Sequence, residues 1–169
     1  MKTQTPIFIQ FHPSPDERYL ELASGLVRAA ICLPYEQPGA IARALLLGQA
    51  IELALKSYLF FDLVRSGVSE RTAQQILKSR RFGHDILKLC QKAACQAGPA
   101  EIDDEEVWLA RIAQLHGAPG YASRYGAPFV LIPTDSDCER TRKFVTMIAG
   151  VRRAASPRLA AADTVSTGS

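Results

Sequence analysis

Hydrophobic and polar positions alternate along this chain with a helical period over most of its length. In "SPDERYLELASGLVRAAICL" the apolar pairs Tyr19/Leu20, Leu22/Ala23, Leu26/Val27 and Ala30/Ile31 recur every three to four residues, the spacing of one helix face. Ser14 stands as N-cap, Pro15 at the first helical position and Glu17 where it closes a capping box. Pro34 stops this first helix. A second helix is predicted from about Pro38 to Ser66, apolar nearly all round, with Gly67 as its stop. An element of that kind belongs at the centre of a bundle.

Four further segments carry the same period. "SERTAQQILKSR" predicts a short helix beginning at Ser69. "FGHDILKLCQKAACQAG" contains the start of another, ending near Gly98 before Pro99. "DDEEVWLARIAQLHG" places Asp103 as cap, Glu106 three residues on, and an end near Gly117. The last, "SDCERTRKFVTMIAGVRRAA", reads as a helix with Ser136 and Glu139 in a capping box and an inward stripe of Phe144, Met147, Ile148 and Val151. Between these two lies "APGYASRYGAPFVLIPTDS", irregular and rich in Gly and Pro. Residues 1–13, with the weakly alternating "IFIQF", read as an extended arm and 156–169 as a flexible tail around a bundle at 14–155. The expected fold is all-α: an antiparallel up-and-down bundle of four to five main helices plus a short one.

Composition changes this picture little. A chain of 169 residues suits one domain with a real core. The net charge of +3 lacks the basic excess of a strong phosphate-backbone binder. The apolar run at the N-terminus, Ile7 to Phe11, is too short for a signal-peptide core. "ARALLLGQAIELALKSYLFFDLV" carries Arg43, Glu52, Lys56 and Asp62, more charge than a membrane span tolerates. A cytoplasmic protein without a membrane span is the expectation. Cys32, Cys90, Cys95 and Cys138 form no C-x-x-C pair and no zinc-ligand spacing, so reduced thiols are expected and no metal or cofactor. "DDEE" at Asp103 to Glu106 is read as a first-turn acidic cap rather than a metal cluster.

The polar exceptions on the second helix carry more. Gln49, Glu52 and Lys56 lie three and four residues apart and share one narrow face. On a largely buried helix each charge must find a partner or water. This notch is either a solvated stripe or one wall of a polar pocket. Downstream, "RRFGHDILKLC" sets His84 and Asp85 at a helix start. Asp85 suits the free amides there, whereas histidine has no such preference.

Taken in order, "QAIELALKSYLF", "GHDILKLCQKA" and the "RY" of "YASRYGAP" resemble the HEPN superfamily, the nucleotide-binding domains shared by higher eukaryotes and prokaryotes. The resemblance covers roughly Ser14 to Arg153. It implies an up-and-down bundle, commonly a homodimer, in which Glu52, Lys56, His84, Arg124 and Tyr125 converge. Such a cluster either binds a nucleotide, RNA or protein partner or is a closed network that orients helices. The resemblance further implies a toxin–antitoxin or stress setting, with a minimal nucleotidyltransferase as partner.

Many HEPN proteins are metal-independent ribonucleases with an arginine, four to six intervening residues and a histidine. "RIAQLH", Arg111 to His116, has a gap of four. Histidine would act as general acid or base toward a ribose 2′-hydroxyl and arginine would stabilise the phosphorane. This chain departs from the pattern at Ile112, where a polar residue is usual, and in placing the motif ahead of "YASRY". The leading expectation is therefore a non-catalytic dimeric binding module, with the Arg111/His116 ribonuclease and a structural interaction protein as alternatives.

Overall fold

A computed structural model describes residues 14–36, 39–78, 84–94, 106–116 and 133–154. Six helices account for them: α1 (Pro15–Ile31), α2 (Gly39–Arg65), α3 (Glu70–Lys78), α4 (Ile86–Ala94), α5 (Glu106–His116) and α6 (Asp135–Ala154). No strand occurs among the described residues. The protein is an all-α helical bundle. The arm, the tail and the irregular segment after α5 lie outside the described residues.

Local chemistry fixes the ends. At the start of α1 the Ser14 amide donates to Glu17 Oε2 at 3.0 Å, the capping box expected there. Helix α2 closes on Gly67, whose φ of 91° is the left-handed conformation that only glycine adopts without strain. The Gly67 amide reaches the Val64 carbonyl at 3.0 Å and the Val68 amide reaches Leu63 at 3.0 Å, a Schellman closure. The Ser69 hydroxyl accepts from the Thr72 amide at 3.3 Å and so caps α3.

Helix α2 packs against every other helix. Its 27 residues run about 40 Å. Ala40, Ala44, Gly48, Ala50 and Ala54 are buried and small, which lets neighbours approach closely, while Leu47, Ile51, Leu55 and Leu59 fill the space between them. Burying each of these larger chains contributes about 1.5–3 kcal/mol. By length and composition α2 could cross a membrane. Two thirds of that apolar stretch, 67%, is buried inside the bundle, as in a core helix.

Contacts between helix ends give the directions. The Ser57 hydroxyl donates to the Asp16 carbonyl at 2.8 Å, while Ala30, at the far end of α1, packs with Leu47. Helices α1 and α2 are therefore antiparallel. Arg152 of α6 meets Asp16, and Cys138 packs with Ala30, so α6 also runs against α1. Trp108 and Phe144 have ring centroids 5.9 Å apart while Arg111 pairs with Asp137, which makes α5 antiparallel to α6.

Two expectations shift in detail. On α1 the inward stripe is Leu20, Ala23, Val27 and Ala30, whereas Leu22 and Ile31 are exposed. The residues at spacings of three and four from Leu20 are those that face α2, and their neighbours in each apolar pair sit about 100° away. The second shift concerns α6, whose capping box is Thr134/Asp137 and not Ser136/Glu139. The Thr134 amide donates to Asp137 Oδ2 at 2.7 Å and the Asp137 amide to Thr134 Oγ1 at 3.3 Å. Both residue pairs fit the capping pattern. The earlier one prevails because the buried Asp137 also takes the Arg111 guanidinium, while Glu139 pairs with exposed Arg142 at 2.7 Å. The α6 stripe is as expected: Phe144 and Ile148 are buried, with Met147 and Val151 packed beside them.

Candidate functional site

Glu52 sits mid-way along the most buried helix and is 1% exposed. A carboxylate removed from water to that degree needs partners of opposite charge or strong donors. One comes from its own helix: Lys56 Nζ lies 2.7 Å from Glu52 Oε1, one turn further on. The other comes from a separate segment. His84 Nδ1 lies 3.0 Å from Oε1 and 2.9 Å from Oε2. Gln49 is half-buried on the same face of α2.

The start of α4 explains how His84 gets there. Asp85 is the cap, its Oδ1 accepting from the Lys88 amide at 3.1 Å. Its Oδ2 also meets Lys88 Nζ at 3.1 Å. With Asp85 engaged in this local work, the residue before it is not recruited to the helix end and its ring turns toward α2. Ile86 and Leu89 bury the inner face of α4 and hold that approach.

Exposure differs across the trio. The Lys56 side chain is 13% exposed and that of His84 is 46% exposed. The cluster thus has a buried acid at its base and an imidazole at its rim. Glu52 and His84 each make a further interaction beyond these. Arg124 and Tyr125, the other two residues expected here, lie outside the described residues.

Arg111 and His116 both stand on α5. Arg111 Nη2 lies 3.1 Å from Asp137 Oδ2, the same oxygen that caps α6. Ile112, at the position usually polar in the ribonuclease pattern, is fully buried in the core. The His116 side chain lies outside the described residues.

Two ionic clusters escaped the sequence reading. Arg152, near the end of α6, reaches Asp16 through Nε and Glu17 Oε1 through Nη2 at 3.1 Å. It also lies over the Phe61 ring. Burial by itself would raise the Glu17 carboxyl, but the Ser14 amide and the Arg152 guanidinium outweigh it and hold the group below its ordinary value. Arg43, fully buried, donates from Nη2 to the Leu33 carbonyl, lies 3.9 Å from the Tyr35 ring centroid and meets Asp135 at 3.5 Å. An arginine inside an apolar helix was the available signal for this second cluster. For the first there was none, since Asp16 reads as an ordinary acidic residue in a first turn.

The remaining chemistry-bearing groups are quiet. No group of three or more His, Cys, Asp or Glu among the described residues could hold a metal ion. Burial, with the nearby Asp85 charge, pushes the Cys90 thiol up to about 12, so it stays protonated at neutral pH. Cys138 is buried as well, and Cys32 is exposed.

No family model matches the chain, and no curated protein or solved structure matches it either.

Proposed function

We propose that this protein is a HEPN-like, dimeric, non-catalytic module that binds a nucleotide or RNA at the Glu52–Lys56–His84 notch. One observation supports the reading above the rest. Residues from two of the three segments that carry the HEPN resemblance, Lys56 of "IELALK" and His84 of "GHDIL", meet at the single buried carboxylate of Glu52. His84 presents an imidazole to whatever occupies the rim, and Glu52 and Lys56 hold it in place.

The Arg111/His116 ribonuclease is the weaker reading, because the Arg111 guanidinium is already committed to the buried Asp137. A phosphate would have to compete with that carboxylate for the same donors.

The test is a fluorescence-polarisation titration of the full chain with labelled RNA and labelled nucleotides, alongside sedimentation to establish the dimer. Binding is expected to weaken at least about tenfold in both Lys56→Gln and His84→Ala, on the scale of one lost charge-assisted hydrogen bond. Binding that neither change affects removes the notch from consideration. Cleavage of RNA in the presence of chelator, abolished by His116→Ala and not by His84→Ala, would replace this reading with the ribonuclease.

A further inference from the structure

Helix α1 buries Leu20, Ala23, Val27 and Ala30 against α2 and α6. Half a turn away its outer face carries Glu21, Leu22, Gly25, Arg28 and Ala29. All of these but the partly buried Gly25 are exposed, Leu22 to 53%. Leu26, itself only partly buried, borders the face. Helical spacing divides it lengthwise, with Leu22, Leu26 and Ala29 on one half and Glu21 and Arg28 on the other. Neither Glu21 nor Arg28 makes an ion pair among the described residues.

Gly25 stands at the centre of this face. Inside a helix glycine is the least favourable residue after proline. A Cβ at that position would meet only the flexible end of Arg28, at 3.9 Å, so packing within the chain does not call for glycine. A second helix laid across the face would use the space, because small residues let two helix axes approach to about 8 Å.

The order of the residues says which helix fits. Glu21 and Arg28 are equidistant from the point between Ser24 and Gly25. Two antiparallel copies of α1, related by a two-fold axis at that point, set Glu21 of each against Arg28 of the other. Both ion pairs fall on one side of the seam. On the other side Leu22 of each copy meets Leu26 and Ala29 of the other, and the two glycines lie at the axis. Arg18, also exposed, then lies beside the closing end of the other α1, the end that favours a cation. A parallel pair would instead set the charged half of each helix against the apolar half of its mate.

We propose that the outer face of α1 is the interface of a homodimer, covered by the same face of a second copy in antiparallel register. This names the surface of the dimer in the reading above, and it rests on that reading only for the existence of a dimer.

Sedimentation equilibrium of the full chain tests it, comparing the parent with Glu21→Arg, Arg28→Glu, the double variant and Leu22→Asp. Each single reversal brings like charges together twice in the dimer and is expected to raise its Kd at least about tenfold. The double variant restores opposite charges and should return to within about threefold of the parent. An equal mixture of the two single variants should pair more tightly than either does alone. The single variants move net charge in opposite directions, so general repulsion between copies would weaken one dimer and strengthen the other. Leu22→Asp is expected to abolish the dimer. All three positions are exposed, so the variants keep the fold, which far-UV circular dichroism verifies. A dimer that the single changes leave intact, or that the double variant fails to restore, overturns this surface and leaves the dimer standing. A parent chain that stays monomeric overturns the dimer itself, whatever the notch binds.

Discussion

Asp16 and Glu52 are both buried carboxylates on long helices, and each is met by a cation, yet they sit in different surroundings. Around Asp16 the partner is Arg152, itself only 11% exposed, with Ser14 and Glu17 completing the set. Its charged groups belong to two helix ends, and the contact ties the start of α1 to the close of α6. Around Glu52 the partners are Lys56, from the same helix, and His84, from the approach to α4. Here the outermost member is a half-exposed imidazole. Burial of an ion pair therefore does not by itself mark a site in this bundle. What separates the two clusters is the chemistry of the exposed member, a carboxylate (Glu17, 42% exposed) beside Asp16 and an imidazole (His84, 46% exposed) beside Glu52.

The most direct way to break this comparison is to remove the cation of the closed cluster. Arg152→Ala strands the Asp16 carboxylate between two helices. It should destabilise the fold by about 3–5 kcal/mol, as for a buried pair that loses one partner. Urea unfolding monitored by far-UV circular dichroism measures this. A loss below about 1 kcal/mol would put Arg152 with ordinary surface bridges and erase the distinction.

Lys56→Ala is the matching change in the open cluster and should cost less. Glu52 retains His84 as donor, so the expected loss is about 1.5–3 kcal/mol, the range for a hydrogen bond to a charged group. A loss equal to that of Arg152→Ala would mean that His84 gives Glu52 no support.

The two clusters were not equally legible in the sequence. The notch announced itself through spacing: three polar residues on one face of an apolar helix are local information, and helix geometry places them together. The capping box at Ser14 and the stop at Gly67 were legible for the same reason. His84 stood out locally as a histidine at a helix start, but its convergence with Glu52 was implied by the order of motifs that resemble HEPN proteins, because nothing local brings residues 32 apart into contact. Asp16 and Arg152 are separated by 136 residues, and neither breaks any local rule. Their pairing follows from how α6 lies on α1, a tertiary fact. The box at the start of α6 was misplaced by two residues for a related reason. Thr134/Asp137 and Ser136/Glu139 are equivalent as patterns, and the choice falls to Arg111 on another helix.

Acid sharpens the comparison further. Glu17 has its carboxyl held below the ordinary value of 4.5 by the Ser14 amide and Arg152, against the opposing effect of burial. A depressed carboxyl pKa contributes stability that is present above the unfolded value and lost as pH falls through the folded one. The stability difference between the parent protein and Glu17→Gln should thus be constant near neutrality and shrink as pH drops below about 4.5. Urea midpoints of the two proteins across that range supply the measurement. A difference that grows on acidification would contradict the assigned direction.

His84→Ala should have the smallest effect on stability, and this small effect is the most informative. The ring is 46% exposed, and Glu52 keeps Lys56 at 2.7 Å after its removal. Losing this one hydrogen bond costs about 0.5–1.5 kcal/mol, so the unfolding free energy should fall by no more than that. The Asp85 cap and its bond to the Lys88 amide do not depend on the imidazole, so α4 keeps its start. If binding is lost while stability is kept, His84 belongs to a ligand site. If His84→Ala unfolds the bundle as severely as Arg152→Ala, the imidazole is a structural tie between α4 and α2, and the open cluster is another closed one.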